Sequence, residues 1–384
     1  MSSLLQDLRH AARALAKHPA YFVTALLTLA LGIGFSTAMF SVINAVLLRA
    51  QPYREPSRLV VLRERSLPQF PQFSVSPGHY LFWRDHNTAF ESIGAYGTGN
   101  ANLDIGDGSP ERVRADRVTA NLFPLLGVNP LFGRGFLDAD DREGAPRVVL
   151  LSYGVWQRRF GGQRTAVGQA IRMDREPATI VGVMPPGFAF PSANTEMWVP
   201  MAFTGSERIT YGSHYLSAIG RLKPGATLES AEADMKVVSR RLVETVSPGS
   251  KGWEVLLFDL QAFTVAGVRR SLYVLLGAVT LVLLIACVNV ANLLLVRGAA
   301  RHRELAIRSA IGASRLRLLR QLIVEQLALA TVSAAGGVLI AAWLVRALLA
   351  MVPDALPRQI EIGVDGQVLA FALGLAALTP LLFG

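Results

Sequence analysis

Few residues of this chain stand at a spacing that could do chemistry. His10, His18, His79, His86, His214 and His302 form no HExxH arrangement. His79 and His86 make a helix-period pair on one face, without the third ligand that a metal centre needs. No Gly-Lys pair occurs anywhere, which excludes a phosphate-binding P-loop, and there is no GxSxG elbow. Asp138, Asp140 and Asp141 cluster, but a calcium loop would add a Gly and a distal Glu at set spacing, so a solvated turn is the better reading. Trp83, Trp156, Trp198 and Trp253 read as core. No catalytic residue, cofactor or metal is expected. The chemistry on offer is charge: Arg297, Arg301, Arg303, Arg308, Arg315, Arg317 and Arg320 crowd one segment, with Glu304 its only acid.

That segment lies between two long apolar stretches. Hydrophobic residues make up 51% of the 384, charged residues 17%, and the mean hydropathy is +0.36. This fits a membrane protein with a sizeable polar part. The net charge of +10 could suit nucleic acid. Much of it borders apolar stretches, however, so anionic lipid headgroups explain it more simply and no nucleic-acid partner is expected. The one cysteine, Cys287, lies in an apolar segment, so no intrachain disulfide forms.

Four apolar segments organise the chain. Residues 1–18 read as an amphipathic interfacial helix, with Leu4, Leu8, Ala12 and Leu15 on one face and Arg9, Arg13 and Lys17 on another. Residues 22–48 follow as a first span, too long for a cleavable signal core. Residues 272–296 make a second span, with Thr280, Asn289 and Asn292 as its polar residues; asparagine in a membrane helix usually bonds to another helix. Residues 322–351 make a third span, 353–366 a short loop, and 368–384 a fourth span in which the chain stops. Gly32, Gly34 and Ser36 in the first span, and Gly336 and Gly337 in the third, are small enough to let a neighbouring helix approach closely; incidental glycines facing lipid are the alternative.

Between the first two spans, residues 52–270 turn polar and regain Trp, Pro and Gly, the composition of an α+β domain. Expected elements are a helix over His79–Phe90 after Pro77, a helix over Asn121–Leu126 stopped by Gly127, and a strand over Val148–Leu151. Ser152 should cap a helix through Phe160, and Thr227 one over Leu228–Val246. Ile171–Met173 and Thr179–Val183 flank a hairpin turn.

Short basic loops beside spans stay in the cytoplasm, so 297–320 inside puts 353–366 and the 52–270 domain outside and the N-terminus inside. The basic loop also reads as a helix, since Leu305, Ile307, Ile311, Leu316 and Leu319 interleave with its arginines. From charge alone it is either a lipid anchor and topology signal or a docking surface for a cytoplasmic partner.

Three separated motifs carry a family resemblance. Leu29-Ala30-Leu31-Gly32-Ile33-Gly34 running into the segment from Phe40 to Arg49 resembles the first span of ABC transporter permeases of the MacB/FtsX group. The segments from Val148 to Gly162 and from Ile180 to Pro185 resemble their periplasmic core domain, and that from Arg303 to Ala313 their cytoplasmic coupling segment. The chain is most similar to the first half of duplicated orphan permeases abundant in acidobacteria. The resemblance implies an inner-membrane permease that couples ATP hydrolysis by a cytoplasmic ATPase to movement of its periplasmic domain, for export or release of a substrate. Nothing precedes the amphipathic helix, so the ATPase is expected on a separate subunit. Arg303, Glu304, Leu305, Arg308 and Gly312 are the positions implied for its interface. Pairing with a second copy, or with a second permease half, is a further expectation. The alternative function is an envelope regulator or a ligand-sensing membrane protein without transport.

Overall fold

In the computed structural model, residues 19–106, 109–310, 315–351 and 362–383 are described. The expected helix over 1–18, Gly312 and most of the 353–366 loop lie outside them. Two compact units form, one from residues up to Arg49 and from Gly267 onward, the other from Ala50–Ala266.

The first helix, α1 (Pro19–Ile43), ends in a single π-helical turn over Asn44–Leu48. The second unit then runs β1 (Leu59–Ser66), β2 (Phe70–Phe73), α2 (Pro77–His86), β3 (Phe90–Gly97), β4 (Asn100–Asp104), β5 (Glu111–Val118) and α3 (Leu122–Leu126). It continues with β6 (Phe132–Gly133), β7 (Val148–Leu151), α4 (Tyr153–Phe160), β8 (Ala170–Met173), β9 (Glu176–Val183) and β10 (Met197–Pro200). It ends with α5 (Gly205–Arg208), β11 (Ser217–Leu222), α6 (Leu228–Thr245) and β12 (Glu254–Asp259).

The strands pair in the order β10-β7-β9-β8-β4-β5-β3-β11-β1-β12, with β2 on β1 and β6 on β9. β5 also pairs in parallel with β10, from Met197 opposite Ala115 to Pro200 opposite Val118. Six strands thus close into a ring of pairings, and β3, β11, β1 and β12 extend from it as an open sheet. Ring and open sheet each bury their own core. Inside the ring sit Leu103, Val113, Leu151, Ile180 and Met197. The open sheet packs Val60, Leu62, Ile93 and Ala218 against Tyr80 and Trp83 of α2 and Met235 and Val238 of α6.

Local chemistry accounts for the elements. The Ser152 hydroxyl accepts from Val155 N–H to cap α4, and Gly161 closes it in the left-handed region at φ 58°. Asp174 and Arg175 take φ of 52° and 71°, the two-residue turn that matches strand twist between β8 and β9. α6 starts in a capping box between Thr227 and Ser230. α2 differs from its expected span: Pro77 lies inside its first turn, where no N–H is needed, and Ser76 caps it. It stops at His86 because the Asn87 side chain turns the chain, accepting from Phe90 N–H at 3.0 Å so that Phe90 opens β3.

After β12 the chain enters α7 (Leu260–Ala310), then α8 (Arg315–Met351) and α9 (Gly366–Phe383). α7 begins twelve residues before the apolar segment that hydropathy singles out, because Asp259 accepts from Ala262 N–H at 2.8 Å and starts the helix there. It also carries on past Val296, so the backbone of 297–310 is helical. Three helical stretches are long and apolar enough to cross a membrane: Phe22–Leu48, Leu260–Leu293 and Leu327–Met351. A shorter apolar stretch, Gly366–Leu378, lies in α9.

Candidate functional site

The residues singled out by sequence fall in two places. Arg303, Glu304, Leu305 and Arg308 lie on the last turns of α7, so their backbone is helical; Gly312 lies outside the described residues. The small residues sit among the membrane helices. A Cβ on Gly34 would come 2.8 Å from Ile340 Cγ2 and 3.0 Å from the Gly337 carbonyl, and one on Gly337 would come 3.0 Å from Ile33 Cγ2. α1 and α8 therefore approach to backbone contact at this point. A Cβ on Gly32 would instead meet Leu283 and Ala286 of α7, at 3.1 and 3.3 Å. Gly336 has room, with Ala30 Cβ 3.5 Å away, and Ser36 is buried. At the end of the first span, Arg49 pairs with Asp365 at 2.5 Å and the Ser41 hydroxyl donates to the Gly363 carbonyl.

α7 is the least covered of the membrane helices. In its most apolar window 17% of residues are buried, against 61% for the first span. Among the described residues from Gly267 to Leu293, Leu272, Ala286, Cys287 and Val290 are its buried positions, and Val290 packs with Ala25, Leu29 and Leu329. Asn289 and Asn292 are exposed.

The outer unit holds a buried polar network that sequence reading missed. Glu64 of β1 is fully buried. Its Oε1 lies 2.8 Å from His79 Nδ1 and accepts from Ser76 N–H at 3.1 Å. Its Oε2 lies 2.6 Å from His214 Nδ1. His79 Nε2 lies 2.7 Å from the Ser250 hydroxyl, which in turn bonds Ser247 at 2.9 Å. Trp253 stacks on His214 with ring centres 4.2 Å apart. Burial alone would favour the neutral acid, but hydrogen bonds from His214 and His79 outweigh it and hold the Glu64 carboxyl below the usual range. Alternation along β1 puts Glu64 on the same face as Val60 and Leu62, the one clue available in the sequence that this acid points inward.

Ser250, His79 and Glu64 stand in the order of an acyl-transfer triad. Ser250 is only 4% exposed, so the arrangement ties β1, α2 and the turn after α6 together and does not present a nucleophile. Both imidazoles turn Nδ1 toward the carboxylate. Among the described residues, no three His, Cys, Asp or Glu side chains are arranged to hold a metal ion.

A family model described as the MacB-like periplasmic core domain matches residues 22–238, and one described as the FtsX-like permease C-terminal matches 276–384. The chain belongs to the MacB/FtsX group of ABC transporter permeases. This MacB/FtsX-type permease is a multi-pass protein of the inner membrane, and its α+β domain is periplasmic. It is 28% identical over 269 residues to the macrolide export ATP-binding/permease protein MacB of Chromobacterium violaceum, covering 70% of this chain and 40% of that protein. It is 24% identical over 267 residues to the pyoverdine export ATP-binding/permease protein PvdT of Pseudomonas syringae pv. tomato, covering 68% of this chain and 39% of that one. The chain thus spans about two fifths of the length of these curated relatives. Among solved structures, the periplasmic region of MacB from Actinobacillus actinomycetemcomitans aligns with a TM-score of 0.40 at 15% identity, over 52% of this chain and 89% of that one.

Proposed function

We propose that this permease is the non-catalytic membrane subunit of an ABC-type export or mechanotransmission complex, driven by an ATPase on a separate cytoplasmic subunit. The observation that carries the reading is the continuity of α7. One helix leaves the last strand of the periplasmic domain at Leu260, runs through the second span, and reaches the arginine-rich segment at Arg303 and Arg308. A continuous helix resists bending and transmits axial displacement along its hydrogen-bonded backbone. Arg303, Glu304, Leu305, Arg308 and Gly312 form the ATPase interface in this reading. Gly32, Gly34, Ser36, Gly336 and Gly337 hold the spans close enough to move together, and anionic lipids meet the remaining arginines. The curated relatives named above are export proteins, which supports an exported substrate. The complex contains two permease units, as a homodimer or as a pseudo-dimer with a second permease half.

The test is purification of the tagged chain from native membranes in mild detergent, with bound ATPase subunit and ATP hydrolysis as readouts. A stoichiometric ATPase that is lost in the Arg303→Glu/Arg308→Glu variant is the expected result. An ATPase retained by that variant refutes the interface. A preparation that carries no ATPase even after crosslinking favours the envelope-regulator or ligand-sensing function.

A further inference from the structure

Arg63 is a half-buried cation that pairs with no carboxylate among the described residues. It stands on β1 beside Ser217 of β11, and Ser217 stands opposite Tyr96 of β3, so the three side chains share one face of the sheet. Arg63 Nη1–H donates to the Ser217 hydroxyl at 3.3 Å. The Nε–H is buried and has no acceptor among the described residues. The guanidinium carbon lies 6.0 Å from the centre of the Phe263 ring, and Phe258 packs on that ring at 5.5 Å. Burial pulls the Arg63 guanidinium down from its usual range, the direction expected of a buried charge that lacks a partner. Burial also pushes the Tyr96 phenol up, against the pull of Ser217 and of the Arg63 charge.

The neighbouring acids are engaged elsewhere. Glu64 points to the opposite face and is taken by His79 and His214. Glu254 pairs with Arg65, and Asp116 accepts from the Thr195 hydroxyl and Gly99 N–H. Two other deeply placed arginines show what satisfaction looks like in this domain. Arg221 donates to the Leu125, Arg54 and Glu55 carbonyls, and Arg159 pairs with Glu111. A buried charge that is neither paired nor hydrogen-bonded in this way is costly.

We propose that Arg63, Ser217 and Tyr96 bind the oxyanion of a small aromatic or alkyl carboxylate or phosphate, whose apolar part lies against Phe263 and Phe258. A guanidinium and two hydroxyls can all donate to one anion, and the guanidinium fork matches a carboxylate or phosphate edge. The three side chains span about 10 Å across three strands, the scale of a small molecule. Arg63, Ser217, Tyr96, Phe258 and Phe263 are each half-buried, so the face is open to a ligand yet partly shielded from water. A shielded charge pair is stronger than one in water. Phe263 holds the Arg63 stem from one side, so the fork is fixed before the ligand arrives. The site lies wholly in the periplasmic unit and its occupancy does not rest on the ATPase reading.

The test is equilibrium dialysis of radiolabelled phenyl phosphate against the full chain in phosphatidylcholine nanodiscs. Saturable binding by the parent, tighter than that of inorganic phosphate or benzyl alcohol, is the expected result. Arg63→Gln weakens it about 10- to 100-fold, the loss of a hydrogen-bonded charge, and Arg63→Lys, which keeps the charge without the fork, weakens it less. Tyr96→Phe and Ser217→Ala each remove one hydroxyl and weaken it about 2- to 10-fold. These two carry the test if the melting curve of Arg63→Gln shows that it does not fold. Nanodiscs containing phosphatidylglycerol separate the sources of the anion: competition with phenyl phosphate at Arg63 assigns the site to a lipid headgroup, and its absence assigns it to a soluble molecule. No saturable binding by the parent, binding no tighter than that of inorganic phosphate, or affinity changed less than about twofold in all of these variants overturns the proposal. A chain that binds its ATPase subunit but no phenyl phosphate loses this site and keeps the permease reading.

Discussion

Replacing Glu64 by alanine tests the periplasmic network most severely. The substitution strands the Ser76 N–H and removes the common partner of His79 and His214, all in a core where Glu64 is 0% and His79 3% exposed. Each hydrogen bond to a buried charged group contributes roughly 1.5–3 kcal/mol. The three are not additive, and removing one member of a buried charged cluster typically costs about 3–5 kcal/mol. For a domain of roughly 200 residues, 1 kcal/mol shifts Tm by about 2–4 °C, so a fall of roughly 6–20 °C is expected. The assay is thermal melting of the full chain in detergent, followed by tryptophan fluorescence. Trp83, Trp156, Trp198 and Trp253 report the periplasmic unit against the single Trp343 of the membrane unit. The double substitution Glu64→Ala/His79→Ala costs less than the sum of its parts, because the second change removes a group that the first has already stranded. A Glu64→Ala chain that melts within about 2 °C of the parent refutes the reasoning, as does strict additivity in the cycle.

Two further outcomes follow from packing and charge. Gly337→Leu forces α1 and α8 apart and costs about 1–3 kcal/mol, whereas Gly336→Ala next to it stays within about 0.5 kcal/mol, its Cβ meeting Ala30 at an ordinary 3.5 Å; detergent unfolding of the two variants compares them directly. Glu207 is drawn down to about 2, because burial that would raise its carboxyl is outweighed by hydrogen bonds from Arg117, Thr204 N–H and the Tyr215 hydroxyl. A depressed carboxyl contributes stability that is present above its ordinary 4.5 and lost as pH falls through about 2, so Arg117→Met moves the acid-unfolding midpoint to higher pH.

The membrane architecture was legible because hydropathy and charge act over long windows. An uncharged run from Phe22 to Leu48 and seven arginines between 297 and 320 need no neighbours to be read. Local caps were equally legible, since Ser152 with Gly161, and Thr227 with its helix, act within a few residues. The closed ring of strands was not. β5 reads Glu-Arg-Val-Arg-Ala-Asp-Arg-Val and looks like a polar loop, yet Val113 and Ala115 on one face and Asp116 and Val118 on the other are buried once β4, β3 and β10 flank it. The Glu64 network was hidden for the same reason: its members come from β1, α2, the approach to β11 and the turn after α6, separated by up to 186 residues. The start of α7 escaped hydropathy because residues 260–271 carry Arg269 and Arg270 and only the helix cap at Asp259 marks it.

The central claim is that cytoplasmic ATP hydrolysis moves the periplasmic domain through α7. Hydrogen exchange of residues 50–266 in native membranes, compared with ATP and with ADP, tests it most directly. The account predicts ATP-dependent exchange in the periplasmic domain that disappears in the Arg303→Glu/Arg308→Glu chain. Identical exchange under both nucleotides, with the ATPase subunit bound, would contradict it.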